Sequence, residues 1–147
     1  KYRVVNTNKQ VWFVTTHFSY DTQVAVKQFR ELMEFIKDYA FPTIVCGDFN
    51  IDVGTDEYIQ IQQVWQQHGF KDIGPFTDND NDKKSISTNP RDRNIKIDYI
   101  LMRQKSDQYT IQVNDIEIIK PYNKAHKNDG KEWFSDHWAL SAVLRLV

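Results

Sequence analysis

This sequence is most easily bounded by what it has little of. It contains one cysteine, Cys46, in 147 residues. That excludes an internal disulfide and suits a reducing compartment without excluding secretion. No apolar run approaches the ~20 residues of a membrane-spanning helix, so no transmembrane segment is expected. Net charge is almost absent, at −1. A dedicated duplex binder would show an excess of basic residues, although a local basic groove can hide in the average. There is no internal repeat, no composition break and no regular βαβ alternation. The opening "KYRVVNTNKQVWFV" lacks the basic–apolar–small layout of a signal peptide. It starts directly in strand-like sequence, which raises the expectation that the true beginning lies upstream.

What is present is a core-forming composition. Hydrophobic residues make up 40% and aromatics 14%, too rich for a disordered chain. The length suits a single domain, residues 1–147, with a real core. "YRVVNT" and "VWFVTTHF" flank Asn8-Lys9 and read as two strands around a tight turn. Val26, Phe29, Leu32, Met33, Ile36 and Tyr39 then recur at spacings of three and four, which marks one helical face. Asp21 or Thr22 can cap that helix, and Pro42 follows its end. "TIVC" is a short strand. Thr55 opens a second helix with Tyr58, Ile61, Val64 and Trp65 on one side and Gly69 as its stop. Residues 74–94 are polar and turn-rich, as in a long surface loop. In "IKIDYILM", Ile95, Ile97, Tyr99 and Leu101 face one way and Lys96, Asp98, Ile100 and Met102 the other. "TIQVNDIEIIK" changes parity, which predicts a β-bulge near Asn114-Asp115. "WALSAVLRLV" is apolar on nearly both faces and reads as a buried central strand. The order β-β-α-β-α-loop-β-β-β, with several doubly buried strands, fits two sheets face to face with helices outside.

Four polar elements punctuate the ends of apolar strands: Thr16-His17, Asp48 with Asn50, Asp98, and Ser135-Asp136-His137. Asp98 lies inside an apolar strand, where a carboxylate is costly unless paired. A histidine is its natural partner, because an Asp on one ring nitrogen fixes the tautomer and leaves the other for proton transfer. Asp136-His137 offers such a histidine beside an acid able to bind a hard divalent cation. Asp48 can orient or deprotonate a water, and the Asn50 amide can donate to a phosphate oxygen. His17 can donate to the same oxyanion. Each element taken alone is equally a polar turn: an Asx turn at 48–50, an edge-strand Asp at 98, a turn before a strand at 135–137.

Taken together and in order, "TTHF", "CGDFN", "KIDYIL" and "SDHWAL" resemble the endonuclease/exonuclease/phosphatase superfamily of metal-dependent phosphoesterases. The resemblance covers essentially the whole chain. It implies a four-layer α/β-sandwich and Mg²⁺ (or Mn²⁺)-dependent hydrolysis of a phosphoester by in-line attack of water. It implies that His137 is the catalytic histidine, Asp98 the acid orienting it, and Asp48 the acid positioning the nucleophile. Asn50 is then the amide holding phosphate, His17 the stabiliser of transition-state charge, and Asp136 the acid at or near the metal. The family also has a preceding half with an Asn on the first strand and a Glu that is its main metal ligand. Neither has a counterpart here, since Glu31 and Glu34 fall on the helix after "TTHF". The chain is therefore expected to be the C-terminal portion of the fold, with one sheet largely present and the other incomplete. Alone, it is expected to bind Mg²⁺ weakly and hydrolyse little. An exposed sheet face invites self-association or cover by an upstream segment.

The alternative reading is a non-catalytic binding or interaction module on a truncated phosphoesterase scaffold. Four intact motifs argue against it, because a binding scaffold has no need of a buried Asp next to a His. The substrate stays open between nucleic acid and a phospholipid or inositol headgroup. Lys83, Lys84, Arg91, Arg93 and Lys96 flank the long loop and can grip phosphate on either, with a plain solvated loop as the other account. Trp133-Phe134, beside "SDH", can line a pocket.

Overall fold

A computed structural model describes residues 2–3, 8–74, 95–106, 109–119 and 137–147. Two strands open the chain, β1 (Tyr2–Arg3) and β2 (Gln10–His17), paired antiparallel. Helix α1 (Thr22–Ile36) follows, because Asp21 caps it by accepting from the backbone N–H of Gln23 and Val24. Its buried residues are Ala25, Val26, Phe29, Met33 and Ile36, the face expected from the spacing. No basic residue occupies its last turn. The helix end is closed instead from a distance: the Arg103 guanidinium donates to the carbonyls of Ile36, Lys37 and Tyr39.

Strand β3 (Thr43–Asp48) returns parallel to β2, so β2-α1-β3 is a βαβ unit. Helix α2 (Asp56–Gln67) starts at Thr55, whose hydroxyl accepts from Tyr58 N–H and donates to the Asp52 carbonyl. Asp56 and Glu57 in its first turn complement the helix dipole. It stops where Gly69 takes φ +76°, a left-handed conformation that glycine adopts freely. A two-residue strand, β4 (Lys71–Asp72), then pairs with the edge of β5 (Asp98–Arg103). The resulting five-stranded sheet has the order β1-β2-β3-β5-β4. Strand β4 is too short to leave a periodic signal in the sequence.

Both faces of this sheet are covered. Val45, Tyr99 and Leu101 meet α1 and α2 in one core, with Phe18, Phe29, Phe49 and Trp65 interlocking as aromatic rings. Ile44, Ile100 and Val11 face the other way, onto a two-stranded sheet of β6 (Ile111–Ile119) and β7 (Ala139–Leu146). The alternation read from "IKIDYILM" therefore sorts the residues of β5 between two cores. The expected bulge is present, as a register shift between Val113 and Asp115. Strand β7 departs from expectation. Among the described residues it pairs only with β6, and Val143 is 53% exposed. Leu140, Ala142, Leu144 and Leu146 on its other face pack against the five-stranded sheet. Among the described residues, its apolar character thus serves one face, and the strand is not doubly buried there.

The chain is an α/β-sandwich, of which the described residues form a helical layer, a five-stranded sheet and a two-stranded sheet. No helix among them is long and apolar enough to cross a membrane.

Candidate functional site

Strand register brings three of the site residues side by side. His17 is the lateral partner of Asp48 across the parallel β2–β3 pair, and Asp48 is the partner of Asp98 across the antiparallel β3–β5 pair. Because laterally paired residues share a face of the sheet, one imidazole and two carboxylates form a row at the end of three adjacent strands. The fourth group, His137, lies two residues ahead of β7.

The distances define a connected set. Asp98 Oδ2 lies 2.8 Å from His137 Nδ1. A carboxylate can only accept, so the proton of the neutral ring sits on Nδ1 and Nε2 carries the lone pair. That Nε2 is 3.6 Å from Asp48 Oδ2, and His17 Nε2 approaches the same oxygen at 3.3 Å. Exposure is uneven along the row: the His17 side chain is 62% exposed, whereas Asp48 in the middle is 13% and Asp98 18% exposed. The His17 end meets solvent and the rest is sheltered.

The local backbone is stitched to hold this arrangement. Gly47 has φ +142°, and a Cβ there would sit 1.9 Å from the Thr16 carbonyl oxygen. Only glycine lets β2 and β3 approach closely enough at this point to juxtapose His17 and Asp48. Beyond Asp48, the chain is pinned by Phe18 N–H to the Asp48 carbonyl and Phe49 N–H to the Ile97 carbonyl. Asn50 adopts φ +53°, which asparagine tolerates better than most residues. Its N–H donates to Asp48 Oδ1 at 2.8 Å, and its side-chain amide donates to the Phe18 carbonyl at 2.7 Å. Asn50 thus ties the ends of β2 and β3 together as an Asx-type turn and lies beside Asp48 rather than in the row.

Burial pushes the Asp48 carboxyl above its usual range, against the Asn50 N–H that favours the charged form. The Asp98 charge adds to the rise, and His137 and His17 oppose it.

The structure thus brings together His17, Asp48, Asp98 and His137, with Asn50 adjoining. Asp136 falls outside the described residues, as do Lys83, Lys84, Arg91, Arg93, Trp133 and Phe134. Lys96 is a correction to the phosphate-gripping set: it is 1% exposed and its ammonium bonds Asp72 at 2.6 Å. Its backbone N–H also donates to Asp52 at 2.8 Å, so it anchors the entry to β5. The reason is that Lys96 precedes the strand by two residues and is drawn over the Tyr99 ring, 4.9 Å from its centroid.

Candidate ligand atoms of Asp48, Asp98 and His137 lie within 4.8 Å of one another. Two of the three residues offer carboxylate oxygen, the donor type that hard divalent cations prefer. The donor chemistry of the set therefore suits a share of the ligands of a divalent cation.

Two residues at the site have no conspicuous sequence signal. Gly47 is legible only once the parallel neighbour is known. Tyr20 reads as part of the lead into α1, yet its ring lies 6.2 Å from the His17 imidazole, edge-on. An aromatic between a strand-end histidine and a helix cap is the pattern that would have pointed to it.

No curated protein matches the chain. Several solved structures share its fold. A protein of the endonuclease/exonuclease/phosphatase family from Bacteroides thetaiotaomicron aligns with TM-score 0.64 and 18% identity, over 95% of this chain and 51% of its own. D. rerio TDP2, complexed with single-strand DNA product, aligns with TM-score 0.63 and 18% identity, over 90% and 55%. A mutant beta toxin from Staphylococcus aureus with bound magnesium ions aligns with TM-score 0.56 and 17% identity, over 95% and 54%. The chain spans about half the length of each of these structures. A family model covers residues 2–137, which include His17, Asp48, Asn50, Asp98 and His137, so the chain belongs to the Endonuclease/Exonuclease/phosphatase family.

Proposed function

We propose that this chain carries the histidine–aspartate side of a Mg²⁺ (or Mn²⁺)-dependent phosphoester hydrolase that acts by in-line attack of water. One observation carries the reading: Asp98 holds His137 by Nδ1 at 2.8 Å while Nε2 turns towards Asp48. A structural turn needs no such relay. A hydrolase does, because a fixed tautomer presents one nitrogen to the reacting atoms in a defined protonation state.

In this reading Asp48 orients the attacking water and accepts its proton, its carboxyl tuned upward by burial. His137 contacts the phosphate or the water through Nε2, its ring held in orientation by Asp98. His17, the most exposed of the row, donates to a phosphate oxygen as negative charge develops. Asn50 keeps Asp48 turned by its backbone N–H, and the second hydrogen of its amide remains for a phosphate oxygen. A divalent cation held by the carboxylate side of the site, with Asp136 as a further ligand, would neutralise charge on the phosphoryl group. The substrate class is a phosphate ester of either nucleic acid or a phospholipid or inositol headgroup.

The test is a substrate panel with the full-length protein. DNA, RNA, sphingomyelin and phosphoinositides are offered with Mg²⁺, with chelator, and to the His137→Ala and Asp48→Ala variants. Hydrolysis of at least one class is expected, abolished by chelation and by either substitution. Hydrolysis unchanged in His137→Ala would sink the assignment. No hydrolysis of any class by the native protein would favour a binding module instead.

A further inference from the structure

Tyr20 is placed in a way that the fold does not require. Its side chain is 81% exposed, the highest value among the large hydrophobic residues that face solvent in the described structure. It adds little to the core, and single exposed aromatics are ordinary, so what sets Tyr20 apart is its place beside a histidine of the site. Its neighbours are fixed. Ser19 N–H donates to the Gln28 side chain at 2.9 Å, and Asp21 N–H donates to Ser19 Oγ at 3.1 Å. Asp21 in turn caps α1. The backbone that carries Tyr20 is therefore braced on both sides by a rigid helix start, while the ring projects into solvent. The ring also stands edge-on to the His17 imidazole, with centroids 6.2 Å apart and planes at 80°. That imidazole is the one 3.3 Å from Asp48.

We propose that Tyr20 is a specificity-determining residue: a stacking platform for a planar ring, such as a nucleobase, attached to the phosphate that the His17–Asp48–His137 row receives. The inference rests on the phosphoester reading of that row and names the group beside the phosphate. At 81% exposure the Tyr20 ring keeps a face open to solvent, and an aromatic face receives any base regardless of its hydrogen-bond pattern. A two-rotor aromatic on a braced backbone also loses little freedom when a ring settles on it. No basic residue is needed for such selectivity, which accords with the near-zero net charge.

The experiment compares ligands that share a phosphate and differ in the ring. Full-length protein with Mg²⁺ is titrated calorimetrically with adenosine monophosphate and with ribose 5-phosphate. Native protein is expected to bind the nucleotide about tenfold more tightly, in line with the usual worth of a base–aromatic stack. Tyr20→Ala should lose that preference by weakening the nucleotide alone, with an unchanged melting temperature, and Tyr20→Trp should keep it. A native protein without the preference overturns the inference. So does a Tyr20→Ala protein that keeps the preference or loses both ligands equally. Weakened attachment of Tyr20→Ala to phosphatidylcholine vesicles, with the nucleotide preference intact, also overturns it and marks the ring as a membrane contact. These outcomes are separate from the hydrolysis assay: a protein that hydrolyses phosphoesters and shows no Tyr20-dependent preference refutes this inference alone.

Discussion

Asp98 and His137 are separated by 39 positions in sequence, and 2.8 Å separates their side chains. The carboxylate holds Nδ1, so Nε2 is the nitrogen offered to Asp48 and to anything that binds beside it. Asp98→Asn places an amide where an acceptor is required. It should lower kcat on a phosphodiester substrate by about 10²–10⁴-fold, with KM changed far less. Steady-state kinetics of the full-length protein, with a thermal melt to show that the fold persists, make the measurement. A kcat within twofold of native would remove Asp98 from the mechanism.

Gly47 lies at the strand contact that aligns His17 with Asp48. Any side chain there starts with a Cβ 1.9 Å from the Thr16 carbonyl. Gly47→Ala is therefore expected to destabilise the protein by more than about 3 kcal/mol, among the larger effects of single substitutions. Urea unfolding of native and variant protein gives the difference directly, and a loss under 1 kcal/mol would show that β2 and β3 can separate cheaply.

Lys96 and Asp72 form an ion pair almost shut off from solvent. Lys96→Met strands the Asp72 charge and should cost about 3–5 kcal/mol. The double variant Lys96→Met, Asp72→Leu removes the stranded charge and should recover much of that loss. Equal destabilisation of single and double variants, by chemical denaturation, would mean that packing rather than charge dominates at this site.

Burial raises the Tyr58 hydroxyl from its ordinary 10.0 to about 12, with the Asp72 charge adding to the rise. Between these values the unfolded chain has released the proton and the folded chain retains it. The folded state binds more protons in that window, so stability falls as pH climbs from 10 to 12 and is unaffected by this group below 10. Tyr58→Phe should flatten the alkaline limb of a stability–pH curve. It should also lose the bond from the Gln62 amide, a small and pH-independent penalty. An unchanged alkaline slope would contradict the assignment.

Much of this molecule is written in short-range pattern. The spacing of Val26, Phe29, Met33 and Ile36 defines the buried face of α1, and Asp21 and Thr55 are legible as caps. The parity of "IKIDYILM" tells which residues of β5 go to which core, and the parity break after Val113 marks the bulge. These features follow from periods of 3.6 and 2 and from backbone groups that need partners nearby. Strand-end polarity likewise singled out His17, Asp48, Asp98 and His137.

Periodicity, however, names a face and never a neighbour. That Asp48 stands between His17 and Asp98 is decided by register across two strand pairs, one parallel and one antiparallel. The same long-range packing buries Lys96 against Asp72, turns the Asn50 amide onto the Phe18 carbonyl, and leaves one face of β7 open. None of these has a local cause. Each depends on which distant segment fills the space beside it, and only the folded chain specifies that.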